Sequence, residues 1–124
     1  MPEQYLYAEE THKIIHALYY VYNELGFGYQ EKYYCRALKI KLEELRFLVQ
    51  EQVPAELKIS GKSIGRYFLD FLINNKIILE IKVAEGVYHT HIRQVIGYLT
   101  AHNLHVGLIG VFSPKGMLIK RLVN

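Results

Sequence analysis

The sequence contains one cysteine, no tryptophan and three prolines, and these shortages exclude several protein classes. A single cysteine, Cys35, excludes an internal disulfide framework and a cysteine-rich zinc site. No apolar run approaches the ~18 residues that a membrane-spanning helix needs. Residues 1–4 lack the basic-then-apolar order of a secretion signal. We therefore expect a cytoplasmic protein that makes no membrane contact.

The remaining composition is that of a folded globular chain. Hydrophobic residues make up 51% of the 124 positions and charged residues 22%, so we expect one domain over residues 1–124. The net charge of +3 permits a nucleic-acid partner without requiring one. Tyrosine is unusually common, with 11 copies against 5 phenylalanines. These tyrosines either pack amphipathic helices or form a surface for a partner, including a second copy of the chain.

Hydrophobic periodicity predicts a mixed α/β chain. Apolar residues recur at helical spacing over residues 8–25, 29–46 and 89–103. Short runs rich in Ile, Leu, Phe and Tyr predict six strands, at residues 47–53, 56–59, 64–73, 77–83, 105–112 and 117–123. The order α-α-β-β-β-β-α-β-β predicts an α/β (α+β) fold, in which helices flank a mixed β-sheet.

Three ionisable residues lie inside the two most apolar predicted strands. Asp70 interrupts residues 67–73, and Glu80 and Lys82 interrupt residues 77–83. A charge in such a run is costly unless it is paired, bound to a metal or exposed to solvent. Because strand side chains alternate, Glu80 and Lys82 share one face and lie about 7 Å apart.

The length of the turn after the first of these strands decides whether Asp70 joins that face. A two-residue turn, Asn74-Asn75, would place Asp70 opposite Leu79 and send Glu80 to the other side. A three-residue loop, residues 74–76, pairs Ile73 with Ile77 and therefore Asp70 with Glu80. Asparagine tolerates the left-handed conformation that such a loop needs, so we predict the three-residue loop.

This arrangement would suit a divalent cation. Two adjacent carboxylates repel one another unless a cation lies between them, and oxygen ligands favour Mg²⁺ or Mn²⁺ over Zn²⁺. Such an ion acidifies its bound water and polarises a phosphoryl oxygen. Lys82 would orient the attacking water or neutralise charge in the transition state. The alternative is a solvated cluster of charges on an exposed sheet face.

Glu31 lies on the same stripe of the second predicted helix as Tyr34 and Leu38, which should face the core. Two interpretations remain open. A carboxylate in the first turn of a helix is favoured by the helix dipole. Alternatively, Glu31 points towards Asp70 and Glu80, where it would bind a metal-bound water or a second metal.

The sequence resembles the GxxExxY family, small members of the PD-(D/E)XK nuclease-like superfamily. The resemblance is centred on residues 28–34 (Gly-Tyr-Gln-Glu-Lys-Tyr-Tyr) and extends over nearly the whole chain. It includes residues 65–71, 78–82, 91–94 and 119–121. The proline of the superfamily motif is replaced by Leu69.

The resemblance implies a restriction-endonuclease-like core and a metal-dependent nuclease site. The implied metal ligands are Asp70 and Glu80, the implied catalytic lysine is Lys82, and Glu31 is the implied helix glutamate. Gln94 matches the polar residue that the active-site helix of the superfamily often adds.

The leading functional hypothesis is hydrolysis of phosphodiester bonds in DNA or RNA with Mg²⁺ or Mn²⁺. Two alternatives are a nucleic-acid-binding module of the same fold that does not cleave, and a protein-interaction module. Basic residues could form an approach for a phosphate backbone or be scattered solvated charges. These residues are Lys58, Lys62, Arg66, Lys76, Lys115, Lys120 and Arg121.

Overall fold

The computed structural model describes residues 6–124, in which helices lie on both faces of a five-stranded sheet. The helices are α1 (Ala8–Leu25), α2 (Glu31–Glu44) and α3 (His89–Ala101). The strands are β1 (Val49–Ile59), β2 (Lys62–Ile73), β3 (Ile77–Val83), β4 (Val106–Ser113) and β5 (Gly116–Val123).

The sheet is mixed, as the sequence predicts. Its strand order is β1-β2-β3-β4-β5, and within residues 6–124 only β3 and β4 pair in parallel. Parallel neighbours need a crossover, which α3 provides. The arrangement is that of the predicted restriction-endonuclease-like α+β core. No helix within residues 6–124 is long and apolar enough to cross a membrane.

Two hydrophobic clusters, one on each face, hold the helices to the sheet. Leu18 of α1 and Leu38 of α2 are fully buried on one face, and Leu99 of α3 is fully buried on the other. Glycines in β4 allow this close approach. A Cβ at Gly107 would lie 2.6 Å from a methyl carbon of Val95, and one at Gly110 would lie 2.9 Å from Leu18.

The tyrosines differ in burial. Tyr34 is fully buried, stacks on Phe112 with ring centroids 4.0 Å apart, and donates its hydroxyl to the Gly26 carbonyl at 2.6 Å. Tyr29 and Tyr33, by contrast, are 51% and 43% exposed. Core packing therefore accounts for Tyr34, whereas Tyr29 and Tyr33 lie on the surface.

One difference from the sequence prediction concerns the first two predicted strands. Residues 47–53 and 56–59 were expected to be separate, with Pro54 between them, but β1 runs unbroken from Val49 to Ile59. The observed order is therefore α-α-β-β-β-α-β-β. β1 is the outermost strand of the sheet, where a proline without an N–H group costs no ladder hydrogen bond on the open side.

The predicted three-residue loop between β2 and β3 is confirmed. Ile73 pairs with Ile77. Asn74 and Asn75 both have positive φ angles, of 52° and 57°. The N–H of Lys76 donates to the carbonyl of Ile73 at 3.1 Å and closes the turn. The register that follows places Asp70 across from Glu80.

Candidate active site

The candidate site lies where β2 and β3 separate. The two strands pair from Ile73–Ile77 to Phe71–Leu79. At the next position the Asp70 N–H donates to Glu80 Oε1 at 2.9 Å, and the N–H of Ile81 donates to Asp70 Oδ2 at 2.8 Å. Each carboxylate thus satisfies a backbone donor of the opposite strand. These crossed hydrogen bonds fix both acidic side chains at the end of the ladder.

Burial makes this pair electrostatically costly. Asp70 and Glu80 are only 8% and 2% exposed. Burial and, after it, contact with the Asp70 carboxyl raise the pKa of Glu80 to about 8. Lys82 opposes that rise, since its Nζ lies 3.6 Å from Glu80 Oε2. The structure therefore brings together the acidic pair and the lysine that the strand pattern singled out.

Gln52 of β1 supports Asp70 from the other side. Its Nε2 donates to Asp70 Oδ1 at 3.3 Å, and its φ angle is 51°, in the left-handed region. A glutamine in this conformation is strained, and such strain persists only where surrounding contacts hold it. Glutamine has no preference for left-handed backbone, so this residue gave no sequence signal.

β1 and β2 change the face that they present at the Gln52–Asp70 position. Phe71 and the paired Val49 and Ile73 pack in the cluster with α1 and α2. Leu69 and its partner Val53 pack instead in the cluster with α3. Simple alternation would keep these five odd-numbered positions on one face. The switch leaves Asp70 at the boundary between the two clusters.

Glu31 is the first residue of α2 and is half-buried. Burial raises its pKa, the charge of Asp70 raises it further, and Lys82 lowers it. Glu31 is therefore close enough to interact electrostatically with Asp70 and Lys82. Within residues 6–124, however, no three His, Cys, Asp or Glu side chains converge to hold one metal ion. Glu31 is thus not grouped with Asp70 and Glu80 as a third direct ligand.

The acidic pair nevertheless suits a hard divalent cation. Two buried carboxylates offer oxygen donors, and a cation between them would relieve the repulsion that raises the pKa of Glu80. Mg²⁺ is commonly bound by one or two carboxylates and keeps several waters. Asp70 and Glu80 match this donor set, with solvent and substrate oxygens left to complete it.

Gln94 lies on α3, and it is connected to the site through its main chain. Its carbonyl accepts a hydrogen bond of 3.0 Å from the Tyr67 hydroxyl. Across residues 6–124, no hydrogen bond joins the Gln94 amide to Asp70, Glu80 or Lys82. Tyr67 was missed by sequence reasoning, although it lies three residues before Asp70. Burial and then the charge of Glu80 raise its pKa, which places it near the acidic pair.

Two further side chains surround the site. His91 has its pKa lowered by burial and by the charge of Lys82, and its buried Nδ1 has no hydrogen-bond partner among residues 6–124. Burial raises the pKa of Cys35, and the charges of Asp70 and Glu31 raise it further. A thiol in such surroundings stays protonated, so Cys35 is unsuited to act as a nucleophile.

Comparisons with known proteins bear on the family and the fold. The sequence model of the PD-(D/E)XK nuclease superfamily matches residues 8–122. Among solved structures, the chain is similar to that of SSO0001, with a TM-score of 0.56 and 20% sequence identity. The alignment covers 76% of this chain and 50% of that one, so this chain spans half of that protein's length. The likeness to SSO0001 concerns the fold alone. None of the curated proteins matches the sequence.

Proposed function

The chain belongs to the PD-(D/E)XK nuclease superfamily, and from this membership we propose that it is a metal-dependent nuclease acting on DNA or RNA. The observation that carries the proposal is the crossed hydrogen bonding of Asp70 and Glu80 at the end of the β2–β3 ladder. It holds two carboxylates against each other in a buried place, where a cation would relieve their repulsion.

Members of this superfamily generally use divalent metal ions. In this chain Asp70 and Glu80 would hold the ion, and their oxygen donors favour Mg²⁺ or Mn²⁺. When bound, such an ion acidifies a water molecule and neutralises negative charge on the phosphoryl group. The chain itself supplies the orientation. The N–H groups of Asp70 and Ile81 fix the carboxylates, and Gln52 holds the outer oxygen of Asp70.

Lys82 carries a positive charge beside the acidic pair, with Nζ 3.6 Å from Glu80 Oε2. We assign it the role of orienting the attacking water and stabilising the charge that develops on the phosphate. Glu31, whose charge interacts with Asp70 and Lys82, would bind a water of the metal's outer sphere. Gln94, whose main-chain carbonyl accepts a hydrogen bond from the Tyr67 hydroxyl, would assist catalysis from α3.

The finer identity proposed for the chain is a GxxExxY protein, a single domain over residues 1–124 that works in the cytoplasm. The support is the run from Gly28 to Tyr34, which places Glu31 at the first position of α2. A second copy of the chain remains a candidate partner for the exposed Tyr29 and Tyr33.

The direct test is cleavage of end-labelled single- and double-stranded DNA and RNA with about millimolar Mg²⁺ or Mn²⁺. We expect cleavage that EDTA abolishes and that Lys82→Ala lowers by about 10²–10³-fold. The matched control is Lys13→Ala, because Lys13 pairs with Glu9 on the surface of α1. Cleavage by Lys82→Ala at the rate of Lys13→Ala would contradict the assignment. Nucleic-acid binding without cleavage by the wild type would favour the non-cleaving alternative.

A further inference from the structure

A cavity of about 440 Å³ lies between the β1–β2 hairpin and the start of α3. The hairpin projects beyond the sheet, since β2 pairs with β1 from Lys62 to Ile73 but with β3 only from Phe71 to Ile73. Arg66 of β2 and Arg93 of α3 line the cavity from opposite sides, and Thr90 lines it from the first turn of α3, three residues before Arg93.

The two arginines carry charges that the fold does not neutralise. Within the range 6–124, neither Arg66 nor Arg93 forms an ion pair. Glu56, the cross-strand neighbour of Arg66, pairs with Lys58 instead, at 3.4 Å. Two unpaired guanidinium groups and a hydroxyl beside one cavity offer the donors that a phosphate group accepts.

The cavity adjoins the acidic pair. Tyr67 lines it and is near enough to Glu80 for that charge to act on its hydroxyl. Along β2, Arg66 precedes Asp70 by four residues, which is about 13 Å of extended chain. Successive phosphates of a stacked strand rise about 3.4 Å along the helix axis but lie about 6–7 Å apart through space, so this separation corresponds to about two nucleotides.

We propose that this cavity is a subsite for a backbone phosphate of the nucleic acid, about two nucleotides from the phosphodiester held at Asp70 and Glu80. Arg66 and Arg93 bind the phosphate oxygens as planar forks, and Thr90 adds a hydroxyl donor. Leu57, which is 53% exposed and also lines the cavity, packs against the adjoining sugar or base. This inference rests on the proposed function for the identity of the ligand.

The test measures the affinity of labelled DNA and RNA oligonucleotides in EDTA, where metal-dependent cleavage cannot occur. We expect Arg66→Gln and Arg93→Gln each to weaken binding about tenfold and to reduce the salt dependence by about one phosphate contact. Arg46→Gln is the matched control, because Arg46 is exposed and follows the far end of the 14-residue α2, about 20 Å from Glu31. If Arg66→Gln, Arg93→Gln and Arg46→Gln all bind with the same affinity, the subsite proposal is wrong.

A second measurement locates the phosphate. Oligonucleotides with one neutral methylphosphonate linkage should bind the wild type weakly when that linkage lies at one position, about two nucleotides from the cleavage site. The Arg66→Gln variant should lose no further affinity when the neutral linkage is at that position. If no position depends on Arg66, the inference fails while cleavage by the wild type keeps the nuclease proposal intact. If the wild type binds in this pattern but never cleaves, the nuclease proposal fails and the subsite stands. If it binds no nucleic acid, both fail.

Discussion

The two halves of β2 differ sharply, and Asp70 lies at their junction. On one side, residues 71–73 pair with strands on both sides and are largely buried among aliphatic neighbours. On the other side, residues 62–68 pair with β1 alone and are mostly exposed. The first half is built as core, and the second as a projecting ribbon that carries Arg66 and Phe68.

This contrast explains why the acidic pair can be buried and still be available for chemistry. The β2–β3 ladder ends at the Phe71–Leu79 pair, and beyond it the N–H groups of Asp70 and Ile81 donate to carboxylates instead of backbone carbonyls. Its end leaves those donors to carboxylates, which they hold in place at 2.9 Å and 2.8 Å. The core half of β2 thus holds the strand rigidly, and the end of its pairing with β3 leaves room for the two carboxylates.

Two phenylalanines on the same strand offer the largest test of the contrast. Phe71 is 1% exposed, and Phe68 is 51% exposed. Phe71→Ala should lower the free energy of unfolding by about 3–5 kcal/mol because it opens a cavity in the core. Phe68→Ala should change it by about 0.5 kcal/mol or less. Chemical denaturation of both variants measures the difference, and equal losses would refute the division of β2.

The acidic pair predicts an unusual pH dependence of stability without metal. A carboxyl whose pKa is raised on folding binds more protons in the native state than in the unfolded state. The protein therefore loses stability as pH rises. For Glu80 the loss begins above its ordinary value of 4.5 and is complete above about 8. Thermal unfolding in EDTA should therefore show a falling midpoint across that window.

Glu80→Gln isolates this effect, because His91 and the other groups titrate in both proteins. The difference in unfolding midpoint between wild type and Glu80→Gln should shift against the wild type as pH rises from about 5 to about 9. Added Mn²⁺ should reverse the shift in the wild type only. A difference that stays constant with pH would show that Glu80 is ionised at no cost in the folded protein.

A smaller expected effect distinguishes backbone strain at the site from backbone strain in the turn between β1 and β2. Gln52 and Ser60 both have left-handed φ angles, of 51° and 49°. Ser60→Gly should stabilise the protein by about 1 kcal/mol and leave cleavage unchanged. Gln52→Gly also loses the hydrogen bond to Asp70, so its stability should change by about 1 kcal/mol or less, while cleavage falls about tenfold. Unchanged cleavage by Gln52→Gly would remove Gln52 from the site.

Part of the candidate site could be predicted from the sequence because strand side chains alternate and because the turn residues indicate the length of the loop. Strand alternation is strict over short distances, and asparagine tolerates the left-handed conformation that a three-residue loop needs. Together they set the register that places Asp70 across from Glu80. The helices were predicted within a few residues because their apolar stripes face the sheet continuously.

Other features depend on tertiary context that no local pattern records. Pro54 is a strand breaker in isolation, yet it is accommodated in β1 because that strand is at the edge of the sheet. The left-handed Gln52 and the change of face beside it follow from packing against two different helix layers. Tyr67 approaches the site only because β2 passes α3 there, where its hydroxyl reaches the Gln94 carbonyl.

The most direct test of the central claim is calorimetric titration of the protein with Mn²⁺. A cation held by Asp70 and Glu80 predicts saturable binding in the wild type that is lost in Asp70→Asn and strengthens as pH rises towards and past about 8, because Glu80 must release its proton. Equal Mn²⁺ binding by wild type and Asp70→Asn, or none by either at about millimolar metal, would contradict the claim that the end of the β2–β3 ladder is a metal site.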